Sequence, residues 1–205
     1  MIPGGWWGRS GLAVGVAGGV ALWRRYTTPF PYRLRSWISV ETPGLGNARL
    51  RELLEPVVGE RLLEIGPGVG LYSLPAAGWV APTGTLDVLD LQQEMVDETV
   101  RRARDAGITN LTATQGDATR LPYRDATFDG AFIVTALGEM PDQEAVLREL
   151  RRVLKAGARV VIGELVVDLH GIRLSRLRQR AEAAGLRYER HAGNALAYFA
   201  RFSAG

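Results

Sequence analysis

Leu62-Leu63-Glu64-Ile65-Gly66-Pro67-Gly68-Val69-Gly70-Leu71-Tyr72-Ser73-Leu74 is the stretch whose reading decides the fold. Four residues with the character of a buried parallel strand run into glycines at positions 66, 68 and 70, and an apolar run with helical spacing begins beyond them. The pattern predicts a strand, a tight loop and a helix start. Without Cβ atoms the loop backbone can approach a ligand closely, and the N–H groups of the following helix point at whatever lies there. Glu64 falls at the carboxyl end of the strand, where open α/β sheets place their ligands, and a carboxylate there accepts hydrogen bonds from a cation or a hydroxyl. A dinucleotide site of the Gly-x-Gly-x-x-Gly/Ala kind wants a small residue at position 71, and Leu71 departs from it.

Working outward, Gly84 to Asp90 reads as a second strand that finishes on an acid 20 residues past Gly70. At a strand terminus beside the glycine loop a carboxylate can accept both hydroxyl hydrogens of a ribose, so Asp90 is the ribose candidate. Asp87 lies on the other face of the strand and is the weaker choice. A helix over Gln92 to Ala106 is expected next, with Met95, Val96 and Val100 inward and Gly107 as its stop. Leu111 to Thr114 is a third strand, followed by Gly116-Asp117-Ala118, and Phe128 to Leu137 is a fourth. Pro141 to Leu154 reads as a helix, a turn over Leu154 to Ala158 leads into a fifth strand, and Ile172 to Ala184 is the last helix. Leu186 to Arg190 with Ala195 to Phe202 makes a terminal hairpin.

Upstream of the loop, Asn47 to Val57 reads as a helix with Leu50, Leu53 and Leu54 on one face. Thr27 to Gly46 carries Pro29, Pro31 and Pro43 and is expected to be an irregular connector with a short segment from Leu34 to Val40. Residues 10–23 are uncharged and apolar, bracketed by Trp6 and Trp7 before and by Trp23, Arg24, Arg25 and Tyr26 after. As a helix this run would be ~21 Å long, short of a ~30 Å hydrocarbon core, so it is not expected to span a bilayer by itself. Trp and Arg at the ends of an apolar run suit an interfacial anchor. The competing readings are a cleaved signal peptide, disfavoured because the stronger basic cluster follows the apolar run, and a helix that packs on protein, with Gly11, Gly15 and Gly19 at i, i+4 spacing allowing close approach.

The chain has 205 residues, 46% of them hydrophobic, enough for one sizeable core and little room for a second. The expected division is an N-terminal apolar segment and connector over 1–46 and one α/β domain over 47–205. No cysteine is present, which excludes a disulfide framework, thiolate zinc and a cysteine nucleophile, and the two histidines are too few for a histidine-rich metal centre. No metal site is expected. Residues 1–40 hold Arg9, Arg24, Arg25, Arg33 and Arg35 and no acid, so the net charge of +3 belongs to the leader and the rest is near neutral. Such a distribution, without Lys/Arg-aromatic interleaving, argues against a nucleic-acid partner.

Glu64-x-Gly66-x-Gly68-x-Gly70, the acid Asp90, Gly116-Asp117-Ala118 and Phe128-Asp129 follow one another in an order and spacing that resembles the class I S-adenosylmethionine-dependent methyltransferases, in the branch of the ubiquinone/menaquinone C-methyltransferases. Leu154-Lys155-Ala156-Gly157-Ala158 resembles the family's Leu-Lys-Pro-Gly-Gly turn, with Ala156 and Ala158 in place of the commoner residues. The resemblance implies a doubly wound, Rossmann-like seven-stranded sheet, mostly parallel with an antiparallel terminal hairpin, to which the run at 10–23 adds an N-terminal helical appendage. It implies S-adenosyl-L-methionine as cofactor, with Glu64 near the amino end of the methionine moiety and the Asp117 carboxylate against the exocyclic amine of adenine. Gly66, Gly68, Gly70, Asp90, Leu91, Ala118 and Thr135 complete the implied cofactor set. It also implies that the connector folds over the site as a lid, where Tyr32, Trp37 and Ile38 are candidates to line an acceptor pocket.

For chemistry on the acceptor, the candidates are Tyr72 after the glycine loop, Glu139 after the fourth strand and His170 beyond the fifth. A methyl group on a sulfonium is already activated, so in-line placement of a nucleophile about 3–3.5 Å away is the main requirement and a general base is optional. The expected function is methyl transfer to a small amphipathic or lipid-like acceptor, such as a quinol precursor or phospholipid headgroup. The expected setting is cytoplasmic, with peripheral contact at the inner face of the cell membrane through residues 6–35. The rivals are a soluble methyltransferase for a thiol, amine or natural product, a nicotinamide oxidoreductase, and a catalytically silent binding protein on the same fold.

Overall fold

Leu62 and Leu63 point to opposite faces of their strand, yet both are fully buried, which is what a central parallel strand covered on both sides requires. The computed structural model describes residues 29–168 and 170–205; residues 1–28, with the apolar leader and its Trp6, Trp7, Trp23, Arg24 and Arg25, lie outside the described residues. The side chain of Trp37 does as well. Strand β1 (Arg61–Ile65) pairs in parallel with β2 (Thr85–Asp90) on one side and β4 (Phe128–Val134) on the other. Strand β3 (Leu111–Gln115) lies outside β2, and β5 (Leu154–Leu165) runs parallel beside β4. The antiparallel hairpin of β6 (Leu186–Gly193) and β7 (Ala197–Ala204) completes the order β3-β2-β1-β4-β5-β7-β6.

The period of two along β1 sorts its side chains between two cores. Leu62 packs with Leu50, Leu53 and Leu54 of α1 (Asn47–Leu54) and with Ala76 and Val80 of α2 (Ser73–Val80). Leu63 and Ile65 face Val146, Leu147 and Leu150 of α4 (Gln143–Val153) and Leu177 and Ala181 of α5 (Leu174–Ala183). Helix α3 (Gln93–Asp105) lies against β2, β3 and α2. Strand order reverses between β1 and β4, so the crevice beyond their carboxyl ends is the place where such a sheet binds ligands.

Several boundaries differ from expectation, each for a local reason. Helix α1 stops at Leu54, not Val57, because Glu55 turns left-handed at φ 48° and its carboxylate is held by Arg190 and Arg201. Strand β4 stops at Val134, not Leu137, because Thr135 has φ 53°, after which Leu137–Glu139 form a short 3-10 turn. The turn expected over 154–158 is instead the start of β5, where Leu154 pairs with Phe128 before the register shifts. The carboxylate of Asp142 accepts from Ala145 N at 2.8 Å, so α4 begins one residue later than Asp142 and not at Pro141. Helix α5 is shorter than Ile172 to Ala184, β6 runs on to Gly193, and β7 starts and ends two residues later than expected. Val100 is 39% exposed and not inward; Met95, Thr99 and Ala103 form the buried stripe of α3. Within the connector, Tyr32–Ile38 is a 3-10 helix.

Candidate functional site

Gly66 is where the sheet hands over to the site. Its φ of +70° favours glycine, and a Cβ there would stand 2.6 Å from that of Ala136, so no other residue lets the loop pass this close to the end of β4. Its N–H donates to the Leu89 carbonyl at 2.9 Å, which ties the loop to β2. Gly68 and Gly70 also have positive φ, and Gly70 N closes a turn onto the Pro67 carbonyl at 2.9 Å. Helix α2 starts at Ser73, so the segment between loop and helix is a turn and not helix from the last glycine onward.

Beyond the carboxyl ends of the parallel strands these residues open onto one cavity of about 260 Å³. One half of its wall comes from β1 to β3: Gly66, Pro67, Gly68, Asp90, Leu91, Gln92, Met95, Gly116, Asp117, Ala118 and Thr119. The other half follows β4 and β5: Thr135, Ala136, Glu139, Met140, Pro141 and Asp168. Pro29, Phe30 and Ile38 of the connector lie across both halves. Phe30 N donates to Glu139 Oε2 at 2.8 Å, and Gln92 Nε2 donates to the Phe30 carbonyl at 2.9 Å, so one residue of the connector is fastened to either side.

Asp90 lies at the end of β2 with its Oδ1 accepting from Gln92 N at 2.9 Å. Burial pushes its carboxyl up, and backbone N–H groups of Gln92, Gly68 and Leu91 act in the opposite direction. Leu91 is 55% exposed with its side chain on the cavity wall, an apolar surface beside a carboxylate. Asp117 Oδ1 accepts from Thr119 N and Oγ1, both at 2.8 Å, which fixes the carboxylate at the cavity rim. Thr135 lines the wall in a left-handed conformation that is costly for a β-branched residue, a form of strain that gathers at functional sites. Glu139 is pushed up to about 7 by burial and by the charges of Asp168 and Asp90, against the pull of the Phe30 N–H.

Three sequence candidates, Glu64, Gly70 and His170, fall elsewhere, and a fourth, Tyr72, is on the wall with its hydroxyl engaged in structure. Glu64 does not reach the cavity wall: it is buried under the loop, accepts from Ser73 Oγ, and burial pushes it up to about 8. Gly70 packs against Leu74 and Thr99 behind the wall. Tyr72 lines the cavity with its ring, but its hydroxyl donates to the Leu45 carbonyl at 2.6 Å and so braces the segment before α1. His170 lies beyond β5 with its backbone against Gly138 and is not part of the wall. From the connector, Ile38 is on the wall and Tyr32 is not. Phe30, Gln92, Met95, Met140 and Asp168 escaped sequence reasoning; only Gln92, two residues after the strand-terminal Asp90, carried a local signal. No group of three or more metal-ligating side chains is gathered among the described residues.

A ligand with a ribose, an aromatic base and a charged amino-acid tail fits the first half of this wall. Asp90 can accept from vicinal hydroxyls, Leu91 offers an apolar face, Asp117 can accept from an amine, and Gly66 and Gly68 leave the cradle that side chains would fill. Residues 62–157 match the family described as methyltransferase domain. The chain is 33% identical over 121 residues to the methyltransferase GfsG of Streptomyces halstedii, covering 58% of this chain and 42% of that protein. It is 31% identical over 129 residues to a demethylmenaquinone methyltransferase of Staphylococcus aureus, covering 63% and 53%. The chain thus spans about half the length of the curated relatives it matches. A SAM-dependent methyltransferase from Aquifex aeolicus has the same fold, with a TM-score of 0.79 at 19% identity over 86% of this chain and all of that one. Glycine loop, strand-terminal acids, sheet order and relatives agree in supporting a class I S-adenosylmethionine-dependent methyltransferase, with the family match itself confined to residues 62–157.

Proposed function

We propose that the chain transfers a methyl group to a small amphipathic or lipid-like acceptor, of which a quinol precursor is the type, and that it does so at a membrane surface. The observation that carries the transfer is the continuity of the cavity across the point where strand order reverses, with cofactor-type residues on the β1 to β3 side and a separate apolar and carboxylate wall on the β4 to β5 side. Asp90, Asp117, Leu91 and the glycine loop hold S-adenosylmethionine, which supplies an electrophilic methyl group. Phe30, Ile38, Met140 and Pro141 hold the acceptor and keep water from it, while Glu139 takes the proton that an O–H or N–H acceptor gives up. A carboxylate raised towards neutral pH suits that transfer. The name of the Staphylococcus aureus relative supports an acceptor of the quinol type. Tryptophans and arginines around the apolar run at 10–23 support the membrane setting.

Incubation with methyl-labelled S-adenosylmethionine and a panel of quinol, phospholipid, amine and thiol acceptors, followed by product mass spectrometry, tests the transfer. Label on the quinol is expected, and label on none of the four rejects the proposal. For the setting, the full chain is expected to sediment with anionic vesicles, high salt weakening this only in part. A variant beginning at Thr27 is expected to stay in solution and still bind cofactor. Equal vesicle binding by both, or by neither, rejects the membrane part.

A further inference from the structure

The acceptor half of the cavity has a charge character that the function so far leaves unused. Four carboxylates, those of Asp90, Asp117, Glu139 and Asp168, belong to the wall, and among the described residues no Arg, Lys or His does. Asp90 and Asp117 are engaged on the cofactor side by the reading above. Glu139 and Asp168 are left beyond β4 and β5, beside Phe30, Met140 and Pro141. A carboxylate or phosphate entering there meets like charge with no described cation to offset it. A hydrogen-bond donor meets acceptors instead, and Glu139 already accepts one cavity-wall donor, the Phe30 N–H at 2.8 Å.

We propose that Glu139, with Asp168 beside the same half of the cavity, selects acceptors that present a neutral or cationic O–H or N–H and turns away acceptors that carry a carboxylate or phosphate at the reacting end. The proposal rests on the functional reading above and narrows it: phenol, quinol and amine acceptors are admitted, phosphorylated headgroups are excluded. Glu139 makes the selection by direct contact with the acceptor. Asp168, exposed at the start of the loop after β5 and held by His170 N at 3.0 Å, adds its charge from the other side of the same half.

Three aromatic probes of one shape and different charge test this, 4-butylbenzylamine, 4-butylphenol and 4-butylbenzoate, titrated calorimetrically into the full chain saturated with S-adenosylhomocysteine. The amine and the phenol are expected to bind about tenfold or more tightly than the benzoate. In Glu139→Gln the amine advantage over benzoate is expected to fall to about threefold or less, while S-adenosylhomocysteine affinity is retained. Asp168→Asn, at an exposed position where the amide oxygen can still accept from His170 N, is expected to lower the same ratio in the same direction. Benzoate binding as tightly as the amine, no binding by any of the three, or an unchanged ratio in both variants overturns the proposal. Failure of S-adenosylhomocysteine to bind would instead sink the cofactor reading, and the ratio measured without it would still report the charge preference.

Discussion

Phe30 and Glu139 are 109 residues apart in sequence and joined by a 2.8 Å hydrogen bond from the Phe30 N–H to a carboxylate oxygen, across the mouth of the cavity. The Phe30 carbonyl is held on the opposite side by the Gln92 amide. Gln92→Ala removes one fastening and keeps the other. A hydrogen bond of this kind contributes ~1 kcal/mol, so the connector is expected to open about fivefold more often. Hydrogen exchange over residues 30–38 should quicken by that factor while β1 and β4 stay protected. Unchanged exchange over 30–38 would mean that the Gln92 contact does not hold the connector.

Asp90→Ala is expected to weaken S-adenosylmethionine binding by about 1–3 kcal/mol, the scale of hydroxyl contacts left unmade. Asp87→Ala is the folded control. Asp87 faces away from the cavity and accepts both Nε and Nη2 of Arg61 at 2.8 Å, so its loss should lower stability and leave affinity alone. Calorimetric titration decides, and the ribose assignment fails if the control loses affinity while Asp90→Ala keeps it.

The choice between brace and catalyst for Tyr72 is open to a single substitution. Tyr72→Phe keeps the ring on the cavity wall and deletes the bond to the Leu45 carbonyl, leaving a buried carbonyl without its donor. Stability should fall by ~1–2 kcal/mol with methyl transfer retained per folded molecule. Loss of turnover at an unchanged melting temperature would restore the catalytic role.

Burial pushes Glu64 and Glu164 up to about 8 and Glu139 to about 7, from an ordinary value near 4.5. The native protein therefore keeps protons that the unfolded chain has released. The stability these groups contribute is complete below about pH 4.5 and is lost as pH rises towards 8, by about 1.4 kcal/mol per pH unit for each proton so held. Melting temperature should decline from pH 6 to pH 8.5. Glu164→Gln, which keeps the shape and removes the titration of a group whose Oε2 accepts from Ile172 N at 3.2 Å, should make that decline shallower. An equally steep decline in the variant would rule out Glu164 as a source.

The parts of the site that the sequence made legible are those encoded within a few residues. Gly66, Gly68, Asp90 and Asp117 each stand at the end of a strand that its own apolar pattern announces, and the cavity wall contains all four. Phe30, Met140 and Asp168 come together only when the connector, the loop after β4 and the loop after β5 close on one another, and no periodicity records that closure. Glu64 misled for a related reason: its position at a strand end matched the pattern, while the alternation along β1 turned its side chain down towards Ser73 and away from the opening. In α3, Met95 and Val96 are inward as their spacing suggests, but Val100 is not: Thr99 and Ala103 continue the covered face, and Glu98 tolerates burial because Arg101 and Arg102 pair with it.

Gly138 and His170 show how the acceptor side would respond to redesign. A Cβ at position 138 would fall well inside the van der Waals radius of the His170 carbonyl oxygen, so the loops after β4 and β5 are seated against each other with no slack. Neither loop can be lengthened or given a bulkier residue at this contact without displacing its neighbour, and with it Glu139 on one side or Asp168 on the other. New acceptor preferences at this wall would then have to arise through matched changes in both loops, whereas the glycine loop in the other half of the cavity could stay as it is.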